Sequence, residues 1–110
     1  MKTADRLFQI IERETGLTRE QITSDIRDEE FVFARRIACY FLNEDKMPHG
    51  VIARILRRDI ASIRRMVREH ESQYQFNAKF RALFDSVKER LLKDDLVISW
   101  TNDEVYGRFK

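Results

Sequence analysis

The chain is poor in the residues that break or cross-link a fold: one cysteine, one proline and three glycines in 110 residues. A lone cysteine, Cys39, has no partner for an internal disulfide, which excludes a cross-linked scaffold. It sits in Ile37-Ala38-Cys39-Tyr40-Phe41, where a small thiol is expected to be a core residue and not a reactive one. So few breakers leave long uninterrupted stretches, which favours helices over a turn-rich β-sandwich. No window is apolar enough for a membrane span. The opening residues Met1-Lys2-Thr3-Ala4-Asp5-Arg6 also lack the apolar run of a secretory signal, so a cytoplasmic protein with no membrane partner is expected.

Catalytic signatures are equally scarce. There is no Gly-x-x-x-x-Gly-Lys segment to cradle phosphates, and no Cys/His spacing that would hold a metal. His49 and His70 lie on different predicted helices. The acidic pairs Glu29-Glu30 and Asp94-Asp95 are adjacent in sequence, so on a helix their carboxylates diverge. No enzyme activity, cofactor, metal or small-molecule substrate is expected.

What the chain does have is a globular composition, 43% hydrophobic and 36% charged, at a length suited to one domain. Its net charge is only +2, but the bases are gathered. Between Pro48 and Arg68 stand six arginines (Arg54, Arg57, Arg58, Arg64, Arg65 and Arg68) against a single acid, Asp59, while acids outnumber bases elsewhere. A basic patch on a mildly acidic body is the electrostatic footprint of a polyanion partner.

The pattern of apolar residues predicts about six helices. The first runs from about Thr3 to Thr15, with Leu7, Phe8, Ile10 and Ile11 as its stripe and Gly16 at its end. Thr18-Arg19-Glu20-Gln21 has the capping-box pattern and opens a short second helix carrying Ile22. An acidic loop, Ser24 to Glu30, contains one base, Arg27. The third helix, about Glu29 to Asn43, is the richest in large apolar residues and is expected to be central. A fourth is predicted from Pro48 to Leu56 and a fifth from about Asp59 to Tyr74. In the sixth, capped by Asn77, Phe80, Leu83, Phe84, Val87 and Leu91 form one stripe. Residues 1–95 thus read as one helical domain and 96–110 as a C-terminal extension. The extension opens with the β-prone run Leu96-Val97-Ile98-Ser99-Trp100, expected to be an extended tail that packs on the helices or on a partner, including a second copy of the chain.

The segment from Ile52 to Arg65 carries the functional reading. Ile52 and Leu56 lie one turn apart on one helix, Ile63 and Val67 one turn apart on the next, and small Ala53 permits a close crossing. Asp59 is placed to cap the second helix by accepting from Ala61 or Ser62. With Ile63 and Val67 inward, Ala61, Ser62, Arg64, Arg65 and Arg68 face outward. That is how a helix-turn-helix offers base-reading side chains flanked by phosphate-holding bases. The turn often uses glycine, because a left-handed residue is needed there, and here that position is Arg57.

In order as well as motif, residues from about Ala4 to Leu92 resemble the C-terminal DNA-binding domain of the bacterial replication initiator DnaA, which has a Trp-repressor-like helical fold. Ile10-Ile11-Glu12 to Leu17 looks like that family's first helix. Glu30 to Leu42 is similar to its long helix, the helix-turn-helix follows at the corresponding place, and Phe80 to Leu91 resembles its closing helix. For the family signature Gly-Gly-Arg-Asp-His-Thr-Thr-Val, the matching segment here is Arg57 to Ile63. Arg58, Asp59 and a hydroxyl at Ser62 are kept, whereas Ile60 and Ala61 replace histidine and threonine. The resemblance implies double-stranded DNA as partner, Arg27 as a minor-groove contact and Arg35 as a phosphate contact. Ile60 and Ala61 can touch a thymine methyl but cannot hydrogen-bond a base through their side chains, so the family's origin-box specificity is not implied.

Two functions follow as expectations. The first is a replication- or transcription-related regulator that binds duplex DNA through Arg27, Arg35, Arg54, Arg57, Arg58, Asp59, Ile60, Ala61, Ser62, Arg64, Arg65 and Arg68. The alternative is a protein-interaction module that keeps the fold and has lost DNA binding, favoured by the acidic loop and the missing polar base readers.

Overall fold

The computed structural model describes the backbone of residues 3–99 and the side chains of residues 4–93. Six α-helices occupy the described chain: α1 (Thr3–Thr15), α2 (Arg19–Ile22), α3 (Glu29–Glu44), α4 (His49–Leu56), α5 (Ile60–Phe76) and α6 (Ala78–Ser99). No described residue is in a strand. The fold is all-α, as the scarcity of breakers and the helical spacing of apolar residues predict.

Local chemistry sets the ends. Gly16 leaves α1 at φ +78, a left-handed conformation that glycine adopts without a Cβ penalty. The capping box at α2 is present in both directions: Gln21 N–H donates to Thr18 Oγ1 and Thr18 N–H donates to Gln21 Oε1. Pro48 stands at the N-cap of α4, just outside the helix. Asn77 Oδ1 accepts from Phe80 N–H at 3.0 Å and so starts α6.

α3 is the centre, packing against the five other helices. Seven of its apolar side chains, Phe31, Phe33, Ala34, Ile37, Ala38, Cys39 and Leu42, are buried, and Tyr40 and Phe41 are half-buried against the same core. A helix apolar on most of its circumference has to be surrounded. Cys39 is 1% exposed and burial pushes its thiol up to about 11, which leaves it an inert core residue.

On one flank of α3 the aromatic side chains of α3, α5 and α6 gather. Phe33 and Phe80 meet edge to face at 5.5 Å, and Phe41 stacks on Phe84 at 5.1 Å. The His70 ring stacks on Tyr40 at 4.0 Å, and its Nδ1 is buried without a hydrogen-bond partner.

Three expectations are corrected. Leu83 is half-buried, at the edge of a stripe whose deepest members are Phe80, Phe84 and Val87. Met66, one residue before Val67, takes the deeper place on α5, and Val67 is half-buried. The β-prone run does not leave the helix where expected, because α6 continues through Leu96 to Ser99. β-propensity is a weak preference, and a helix already nucleated over several turns overrides it. The rest of the expected extension, 100–110, lies outside the described residues.

Candidate nucleic-acid interface

α4 and α5 form a helix-turn-helix joined through Arg57, Arg58 and Asp59. The turn closes because Arg57, the C-cap of α4, adopts φ 58, ψ 46, in the left-handed region. This is the position where glycine is the usual choice, and an arginine there carries a backbone penalty of about 1 kcal/mol. Arg57 N–H donates to Arg54 O at 3.3 Å and Arg58 N–H to Ala53 O at 2.9 Å, which satisfies two of the last-turn carbonyls of α4. Buried Ile52, Ala53 and Leu56 hold α4 to the core.

Asp59 then opens α5. Its Oδ1 accepts from Ser62 N–H at 2.8 Å, and this hydrogen bond, with a second from the Ser62 hydroxyl, holds the Asp59 carboxyl below its ordinary value. Ser62 is thus the capping partner among the two expected. Ile63 and Met66 anchor the inner side of α5, while Ile60, Ala61, Arg64, Arg65 and Arg68 are exposed. Spacings of three, four and seven residues put these five on one outward face. Ser62 is half-buried at its edge, and Arg54 and Arg57 are exposed on the preceding helix and turn.

Two expected contacts behave differently. Arg58 points sideways: Nη2 donates to Ser24 O at 2.6 Å, and Nη1 lies 4.0 Å from Asp25. It ties the acidic loop to the helix-turn-helix, with 20% of its side chain exposed. Arg35, expected to hold a phosphate, is 6% exposed and turned inward. Its Nε donates to Ile22 O at 2.7 Å, and its Nη2 donates to Ser24 O at 2.9 Å and also to Ile26 O. Burial and then the neighbouring Arg58 pull its guanidinium below the ordinary arginine value, with Asp25 opposing. Its work is to knit the α2–α3 loop to α3, which leaves it unavailable on the outer surface.

Arg27 is exposed on that loop, next to exposed Asp25 and Asp28. Loop, turn and α3 together border a cleft that also takes in Arg36, a residue not singled out by its sequence. Its signal was present: Arg36 is the second charge in an otherwise apolar stretch from Phe31 to Leu42, where a charge needs a specific partner. It has one, because Nη2 donates to Glu69 Oε1 on α5 at 2.8 Å.

Compared with known proteins, the chain matches no family model, no curated protein and no solved structure. Among the described residues, no helix is long and apolar enough to cross a membrane.

Proposed function

We propose that this protein binds double-stranded DNA through the α4–turn–α5 unit, as a non-catalytic cytoplasmic regulator of replication or transcription related in kind to the DnaA C-terminal domain. One observation carries the reading. The outward face of α5 presents Ile60, Ala61, Arg64, Arg65 and Arg68 beside the exposed Asp59 cap, while Ile63 and Met66 fix the opposite face in the core. In this reading Arg54, Arg57, Arg64, Arg65 and Arg68 meet phosphates. Ala61, Ser62 and Arg65 face base edges, and Ile60, 39% exposed, offers an apolar contact to a thymine methyl. Arg27 reaches a groove from the side. Arg35 and Arg58 support the site from behind.

A salt titration tests it. With phosphates met at about four to six points, the logarithm of affinity for mixed-sequence duplex falls with the logarithm of salt at a slope of roughly −4 to −5. A slope near zero, or no duplex binding at low salt, rejects the reading in favour of a protein-interaction module. One feature favours that second reading. Exposed Ile26, at 41%, stands in the acidic loop that Arg58 fastens beside the recognition helix. A basic peptide with apolar side chains would suit such a surface, and duplex would not.

A further inference from the structure

Between the Asp25–Arg27 stretch of the loop and the start of α5 lies a cleft of about 800 Å³. Six arginines line it, Arg27, Arg35, Arg36, Arg57, Arg58 and Arg65, against the two acids Asp25 and Asp59. The volume falls within the roughly 300–1,000 Å³ of sites that enclose small organic ligands. Three of the guanidiniums are recessed. Arg35 is 6% exposed, and the side chains of Arg36 and Arg58 are 16% and 20% exposed. A duplex resting on the outer face of α5 meets Arg64 and Arg68, which do not line the cleft, and touches only the cleft's rim at Arg57 and Arg65. Only something small enough to enter reaches the inner ones.

The recessed donors are also held in place. Arg35 and Arg58 are fixed by backbone carbonyls, so they lose little freedom when a ligand arrives. Arg36 is held as well, through Nη2 donating to Glu69 Oε1, and it lines the cleft beside them. An anion with several oxygens would meet several of these positive charges at once, which favours a multiply charged group over a single carboxylate. We propose that the cleft binds a compact, multiply charged phosphate, either an inorganic oligophosphate or the di- or triphosphate group of a nucleotide. The site stands whether or not α5 binds DNA.

Inorganic triphosphate is the probe, titrated calorimetrically into the full chain at constant ionic strength. The parent binds it saturably, and sodium sulfate at the same ionic strength does not reproduce the heat. Arg36→Gln weakens triphosphate by about tenfold, the scale of removing one positive charge from the lining, while its affinity for duplex is unchanged. Ser62→Glu is the second variant. It puts a carboxylate into the cleft at the third residue of α5, where glutamate suits a helix capped by Asp59, so the fold is kept and triphosphate is repelled. Arg64→Ala keeps triphosphate affinity. The proposal is overturned if sulfate matches triphosphate, or if Ser62→Glu, with its helical spectrum intact, binds like the parent. It is also overturned if Arg36→Gln loses duplex and triphosphate to the same degree, for then the cleft takes a DNA backbone phosphate and not a free ligand. Loss of duplex binding by the parent alone rejects the DNA reading and leaves this one standing.

Discussion

Arg35 on α3 and Arg58 in the α4–α5 turn donate to the same acceptor, the carbonyl oxygen of Ser24, at 2.9 and 2.6 Å. Residues far apart in the chain thus converge on one loop atom, and the acidic loop cannot move independently of the helix-turn-helix. Arg35 serves two more carbonyls, those of Ile22 and Ile26. Replacing it with methionine, which keeps the apolar stem, leaves the Ile22 and Ile26 carbonyls without this donor and is expected to destabilise the fold by about 2–4 kcal/mol. Lysine does not rescue it, because a point-like ammonium cannot match the planar fork. Urea unfolding of both variants checks this, and a Lys variant as stable as the parent refutes the bridging role.

How far the sequence alone reached is clearest at this loop. The helices are local objects, written in spacings of three and four and in caps such as Thr18, Asp59 and Asn77, and these are legible residue by residue. The core of α6 is legible for the same reason, with Phe80, Phe84 and Val87 buried where their stripe puts them. The direction of a long side chain is not local. Arg35 and Arg58 look alike as basic residues beside apolar ones. Whether each meets solvent or a carbonyl depends on how the α2–α3 loop folds back, which periodicity does not encode. The cleft, assembled from four separate segments, was invisible for the same reason.

The left-handed Arg57 gives a second test, one that separates folding from binding. Arg57→Gly relieves the strain at φ 58 and is expected to raise stability by up to about 0.5 kcal/mol, after allowing for glycine's greater freedom in the unfolded chain. The same change removes an exposed guanidinium, so duplex affinity falls about three- to tenfold at low salt. A chemical melt and a binding isotherm on one variant then move in opposite directions. If both fall, the backbone strain is not the dominant effect at this position.

His70 predicts how stability responds to acid. Burial lowers its proton affinity below the ordinary imidazole value of about 6.5, and Arg36 adds to that, while Glu71 and Glu44 oppose it. The imidazole is neutral in the fold, stacked on Tyr40, with its Nδ1 unpartnered. In the unfolded chain the same group takes up a proton at higher pH, so the unfolded state binds more protons between the two values. Stability contributed by neutral His70 is therefore present above about 6.5 and is lost as the pH falls through the lowered value. His70→Phe, which fills the aromatic cluster without titrating, is expected to flatten the loss of Tm between pH 7 and pH 5. An unchanged pH profile in that variant assigns the acid sensitivity to other groups.

The last prediction sets the recognition face against the loop. Arg64→Glu with Arg65→Glu reverses charge on the outward face of α5 while Ile63 and Met66 still anchor the helix, so the melt should barely change and duplex binding should collapse. The loop calls for a gentler change, because Glu29 pairs with Lys79 at 3.5 Å and, with Glu30, favours the start of α3. Asp25 and Asp28 are the exposed carboxylates to remove. Asp25→Asn with Asp28→Asn lifts repulsion beside Arg27 and Arg58 and is expected to tighten duplex binding severalfold at low salt. The gain should fade as salt rises, since exposed charges are screened beyond about 8–10 Å at physiological strength. Both variants, measured on the same duplexes across a salt series, test one electrostatic picture with opposite signs. Parent-like binding by the Arg64/Arg65 variant would mean that α5 does not face DNA. Tightening by the loop variant alone would then place the contact on the loop instead.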